Sequence, residues 1–143
     1  MNKEQQLTNA IVFATNKHNG QYDKAGMPYI LHPLAVMNMV ATIDEKIVAV
    51  LHDVLEDTDA TKEDLLLIGI DRELINDILV LSHNGINYEK YIENIKACES
   101  QVAINVKLAD LTHNSDLKRL KEVTPKDIAR LEKYIKAIEF LRH

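Results

Sequence analysis

The sequence predicts an all-α, single-domain helical bundle. Glycine and proline number only 4 and 3 among 143 residues. No stretch alternates apolar and polar residues as a half-buried strand does, while Leu, Ile, Ala and Lys recur at helical spacing. A hydrophobic share of 46% with 27% charged residues suits one soluble domain, residues 1–143, built on one core.

The first helix is expected from Glu4 to Asn19, ending before Gly20. The loop "GQYDKAGMPYIL" follows, with glycine and proline as breakers. Pro33 suits the first position of a second helix running to about Thr42, which puts His32 at the N-cap. A third helix spans Asp44 to about Asp57. A short fourth, capped by Thr61, runs to Ile68, and a fifth from Arg72 to His83. Helices near Tyr88 to Ala97 and Gln101 to His113 precede a last one, capped by Thr124 and opened by Pro125.

Charge and cysteine content narrow the function classes. Lys and Arg total 17 against 22 Asp and Glu, a net charge of -5, which argues against general nucleic-acid or membrane-surface binding. A lone Cys98 forms no internal disulfide, and "MNKEQQLTNA" lacks the apolar run of a signal peptide. No apolar stretch approaches the roughly 20 residues that cross a bilayer. A cytoplasmic protein that does not span a membrane is expected.

Three stretches carry candidate chemistry. In "LHDVLEDT", Leu51 to Thr58, His52, Asp53, Glu56 and Asp57 share one helical arc opposite Ile47, Val48, Leu51, Val54 and Leu55. An exposed face looks the same. Yet Asp53 and Asp57 are a like-charge i, i+4 pair with Glu56 beside them and no basic residue from Ile47 to Ala60, and a divalent cation would reverse that repulsion. "AINVKLADLTHN", Ala103 to Asn114, is apolar almost all round and so reads as buried. Asp110 then points inward and needs a partner, either a lysine such as Lys107, a capping bond or a cation. His32 is held near a helix start. Together His32, His52, Asp53 and Asp110 make a nitrogen and oxygen set suited to Mn²⁺, Fe²⁺ or Zn²⁺, and the lack of cysteine argues against a structural zinc.

Several residues take plainer expectations. His18 and His83 close helices and are expected at the surface, and Cys98 reads as a small buried hydrophobe. Tyr88 and Tyr91 read as packing residues. Lys118, Arg119 and Lys121 read as a solvated charge run at a helix end.

In this order, "HNGQYDKAGMPYILHPLAV", "AVLHDVLEDT" and "VKLADLTHN" resemble the HD-domain metal-dependent phosphohydrolases, and within them the hydrolase domain of the alarmone enzymes that remove the 3′-pyrophosphate of (p)ppGpp. The resemblance covers about His18 to Leu120 and looks like that of a stand-alone alarmone hydrolase. It implies that His32, His52, Asp53 and Asp110 coordinate one metal, usually Mn²⁺, and that Glu56 and Asp57 serve the attacking water. It also implies that Lys24 contacts phosphate and Asn114 the nucleoside region of a small nucleotide substrate. Two departures stand out. Asp23 occupies the place of an arginine that stacks on the purine, so residue 23 is expected to face the base and weaken its binding. Leu111 and Thr112 replace an Arg and a Leu. Related nucleotides such as (p)ppApp or NADPH are the alternative substrates. A silent nucleotide-binding regulator is the non-enzyme alternative, although no ligand or acid is missing.

Overall fold

The computed structural model describes residues 1–143 as nine α-helices: α1 Lys3–His18, α2 Leu31–Asn38, α3 Ile43–Leu51, α4 Val54–Asp57, α5 Lys62–Leu67, α6 Arg72–Leu81, α7 Tyr88–Ala97, α8 Gln101–Asn114 and α9 Pro125–Arg142, with a 3₁₀ turn at Leu117–Arg119. There is no sheet, only an isolated bridge between Tyr22 and Pro28. The all-α expectation holds. No helix is long and apolar enough to cross a membrane.

α3 is the centre of the bundle. Ile47 to Leu51 are all fully buried, so this stretch has no solvent face, and the helix packs against α1, α2, α6 and α8. Burying each of its larger side chains contributes about 1.5–3 kcal/mol. Its start is fixed by a capping box, in which the Thr42 hydroxyl accepts from the Glu45 N–H and the Glu45 carboxylate from the Thr42 N–H. Glu45 also accepts from the Asn105 amide at 2.6 Å, tying α3 to α8. Equivalent boxes start α5 at Thr61 and α9 at Thr124, with Pro125 at the first helical position as expected.

Three boundaries differ from expectation. The helix predicted from Asp44 to Asp57 is broken at His52 and Asp53. The Nδ1 of His52 binds the Ala49 carbonyl at 2.5 Å, and the His52 N–H takes the same carbonyl at 3.4 Å. That contracts the last turn of α3 before α4 begins a new axis. His32 is not an N-cap. α2 begins at Leu31, after a turn in which the N–H groups of Leu31 and His32 donate to the carbonyls of Pro28 and Tyr29, and Pro33 is tolerated because it still lies in the first helical turn. α2 also ends at Asn38 rather than near Thr42.

α1 ends as predicted: Gly20, two residues past its last helical residue, has φ of 87°, the left-handed conformation that glycine adopts without steric cost. His18 at that end is buried, contrary to expectation. Its ring lies 5.0 Å from that of Tyr29 and its Nδ1 meets the Gln21 amide oxygen at 2.9 Å. Cys98 is exposed rather than buried.

Candidate metal centre

The break between α3 and α4 puts His52 at the end of one helix and Asp53 at the start of the next, both facing α2 and α8. His32, His52 and Asp53 bring one donor atom each within 4.8 Å of one another. Asp110, from α8, closes the group. Its Oδ1 lies 2.9 Å from His32 Nε2 and 3.2 Å from His52 Nε2, while Asp53 Oδ2 lies 3.1 Å from His52 Nε2 and 3.7 Å from His32 Nε2. His32, His52 and Asp110 are all buried.

The chemistry of this donor set fits a divalent cation. The Ala49 carbonyl can only accept, so His52 Nδ1 carries the hydrogen of that bond. In the neutral ring, Nε2 then turns a lone pair toward two carboxylate oxygens. Only a second proton or a cation between them relieves that repulsion. The electrostatics agree: burial alone would lower the His52 pKa, but the charges of Asp53 and Asp110 raise it well above the usual value. A mixed set of imidazole and carboxylate donors matches Mn²⁺, Fe²⁺ or Zn²⁺.

A second ring of contacts orients these donors. His32 Nδ1 meets His113 Nδ1 at 2.7 Å, and burial, Arg119 and His32 push His113 down to about 4, keeping its ring neutral near pH 7. Lys107 reaches Asp110 Oδ2 at 2.9 Å, and the Asn114 amide donates to Asp110 Oδ1 at 3.1 Å. Burial would raise the Asp110 carboxyl, yet Lys107, then His52, hold it well below the usual range. The lysine expected as one candidate partner of Asp110 is therefore present on Oδ2, while Oδ1 faces His32 and His52. Tyr29, which carries no signal in the sequence, donates to Asp53 Oδ2 at 2.5 Å.

Two cavities meet at this cluster. One, of about 290 Å³, is lined by Tyr22, Lys24, His32, Asn114, Arg119 and Arg130, among others. The other, of about 330 Å³, holds Asp53, Glu56, Asp57, Asp110, Lys107 and Lys133. Tyr29, Asn114 and Tyr134 border both. Glu56 accepts from the His83 N–H at 2.6 Å. Desolvation, with the charges of Asp53 and Glu56, pushes Asp57 up to about 6.

The remaining expected residues fall as follows. Lys24 lies in the cationic cavity, 62% exposed, with Nζ 4.0 Å from Asp127 Oδ1. Asn114 borders both cavities and its Oδ1 accepts from Arg119 at 3.2 Å. Asp23 lines the same cavity, and its Oδ1 accepts the N–H groups of Ala25 at 2.9 Å and Met27 at 3.0 Å. An aspartate two residues before a free N–H closes its own turn more readily than it reaches across a cavity. Arg119 is not a solvated end charge, since it donates to the His113 carbonyl at 3.0 Å. His83 is partly buried with its ring 4.6 Å from Tyr91, facing the acidic cavity. Tyr91 is buried, as expected of a packing residue, and donates to the Leu81 carbonyl at 2.5 Å. Arg130 and Tyr134, on α9 beyond the last motif, also line the site, and no sequence pattern singles them out.

No family model matches the chain. Curated proteins do. A GTP pyrophosphokinase of Myxococcus xanthus is 36% identical over 124 residues, 76% of this chain and 16% of the relative. A guanosine-3′,5′-bis(diphosphate) 3′-pyrophosphohydrolase of Aquifex aeolicus is 35% identical over 77% of this chain and 17% of its own length. The bifunctional (p)ppGpp synthase/hydrolase SpoT of Escherichia coli is 32% identical over 76% of this chain and 17% of its own. This chain thus spans about a sixth of each of these relatives. Among solved structures, that of a metazoan ortholog of SpoT that hydrolyzes ppGpp superposes with a TM-score of 0.80 at 24% identity, covering 96% of this chain and 85% of that one, and shows the shared fold.

Proposed function

From the resemblance of this chain to the hydrolase domain of SpoT/RelA-type bifunctional alarmone enzymes, we propose that it hydrolyses the 3′-pyrophosphate of (p)ppGpp in a metal-dependent reaction. The observation that carries this reading is the His52 ring, whose Nε2 faces two carboxylates at the meeting point of a cationic and an acidic cavity. His32, His52, Asp53 and Asp110 would hold the ion, with Mn²⁺ as the metal. When bound, such an ion makes water more acidic and offsets phosphoryl charge.

The chain's own residues supply the rest. Lys24, Arg119 and Arg130 offer cations to the 5′-phosphates of a nucleotide lying in the first cavity. Glu56, fixed by the His83 N–H, takes a proton from the attacking water. The water oxygen bonds to the phosphorus attached to the 3′ oxygen, that P–O bond breaks, and pyrophosphate leaves. Asp57, whose carboxyl is pushed up to about 6, returns a proton to the 3′ oxygen; a group titrating near the working pH suits this exchange. Tyr29 holds Asp53 in place through its hydroxyl.

Metal-loaded protein incubated separately with ppGpp, ppApp and NADPH tests the reading. GDP and pyrophosphate are expected from ppGpp, with Glu56→Gln and Asp57→Asn each slowing turnover by about 10²- to 10⁴-fold at unchanged metal content. No pyrophosphate from ppGpp by metal-loaded protein would overturn the function. Wild-type turnover in both variants would overturn the roles of the two acids.

A further inference from the structure

The turn between α1 and α2 is more ordered than its composition suggests. The Asp23 N–H donates to the Met27 carbonyl at 2.9 Å, that of Gly26 to the Asp23 carbonyl at 3.0 Å, and that of Tyr29 to the Gln21 carbonyl at 2.9 Å. Asp23 Oδ1 gathers two further N–H groups from inside the turn. At its base, the Gln21 amide donates to the Asp57 carbonyl at 2.9 Å, which couples the turn to the acidic residues. Tyr22 sits at its edge, paired through the bridge to Pro28, and is 69% exposed.

One exposed tyrosine is ordinary on a protein surface. This one is a wall of the cationic cavity, which also has Leu117 and Leu120 from the segment after α8. That cavity combines Lys24, Arg119 and Arg130 with an exposed aromatic ring and two leucines; its three aspartates are held locally, Asp23 by the N–H groups of its own turn, Asp116 by the Lys118 N–H at 3.0 Å, and Asp127 by the Thr124 N–H and Arg130. Cations beside an open aromatic ring are the groups that the phosphates and the base of a nucleotide would meet. The second cavity has tyrosines too, but its four carboxylates include Asp53 and Asp110, which face the histidines, and its Tyr91 is buried with the hydroxyl bound to Leu81. Because the turn is already braced by five hydrogen bonds from main-chain N–H groups, holding the ring against a base costs little ordering entropy. We infer that Tyr22 is the stacking platform for the base of the nucleotide, and that Asp23 acts as the positioning residue that shapes the turn presenting it. This rests on the hydrolase reading above and names a specificity contact within that site. Stacking reads the π-face of a base and not its edge groups, so Tyr22 contributes affinity for guanine and adenine alike.

The chain contains no tryptophan, so Tyr22→Trp installs a single indole reporter at the platform. The indole emission of this variant should fall on addition of GDP or ADP and stay constant on addition of pyrophosphate or ribose 5-phosphate. In kinetics on ppGpp, Tyr22→Ala should raise KM roughly 5- to 30-fold with kcat unchanged, the lower part of the range for base stacking on an aromatic ring. Tyr22→Phe should keep the low KM, since the ring and not the hydroxyl makes the contact. Hydrolysis of ppGpp with no quenching of the indole in Tyr22→Trp and an unchanged KM in Tyr22→Ala would overturn the platform while leaving the hydrolase intact. A metal-loaded protein that neither binds nor hydrolyses the nucleotide would overturn both.

Discussion

His52 depends on the Ala49 carbonyl for its role in the centre. By fixing the hydrogen on Nδ1, that carbonyl aims a lone pair from Nε2 at Asp53 and Asp110. His52→Ala should therefore abolish stoichiometric uptake of Mn²⁺, read by elemental analysis after gel filtration. Tyr29→Phe, which removes only the hydroxyl that bonds Asp53, should retain the ion and lower kcat. Equal ion content in wild type and His52→Ala would remove this residue from the set. Three of the four candidate donors carry a local signal in the sequence: Asp110 is an acid on a largely apolar helix, Asp53 has a like charge one turn on, and His32 stands beside a proline, while His52 is marked by its place next to Asp53. Tyr29 carries none, and its contact with Asp53 exists only because a turn brings residues 24 positions apart together. Asp23 has a role that its type alone does not signal: its position in a turn lets its Oδ1 bind the N–H groups of Ala25 and Met27.

At the scale of the element, sequence marks the capping residues and misses the helix break. Thr61, Thr124 and Pro125 are recognised by local chemistry that the fold does not alter. The interruption at His52 and Asp53 keeps the apolar periodicity on both sides, so the pattern runs through it unbroken. The capping box of α3 gives a prediction with a definite sign. Burial would raise the Glu45 carboxyl, but the Thr42 N–H, the Asn105 amide and the Thr42 hydroxyl outweigh it and hold the pKa below the usual value. A lowered folded pKa contributes stability above the unfolded value of about 4.3 and loses it as pH falls through the folded value. Glu45→Gln should accordingly unfold in less urea than wild type at pH 7, with the difference shrinking below about pH 4. Thr42→Ala, which removes the hydroxyl cap, should cost about 1 kcal/mol in the same measurement. A difference for Glu45→Gln that persists undiminished into acid would contradict the assignment of that carboxylate's charge to the box.

The whole molecule carries a net charge of -5 and yet is proposed to take a polyanion, which requires its cations to be concentrated. Lys24, Arg119 and Arg130 line one cavity, and Lys107 and Lys133 the other. Net charge alone does not reveal this, because Arg130 and Lys133 lie on α9, beyond the motifs, and reach the site through the packing of α9 against α7 and α8. The motifs are legible as three islands; the bundle supplies the walls between them. In the proposed reaction, water attacks the phosphorus attached to the 3′ oxygen beside the metal centre. Hydrolysis of ppGpp by Mn²⁺-loaded protein in ¹⁸O-labelled water, followed by mass analysis of both products, should then place one labelled oxygen in pyrophosphate and none in GDP; label in the nucleotide, or no turnover by the metal-loaded protein, would contradict that attack.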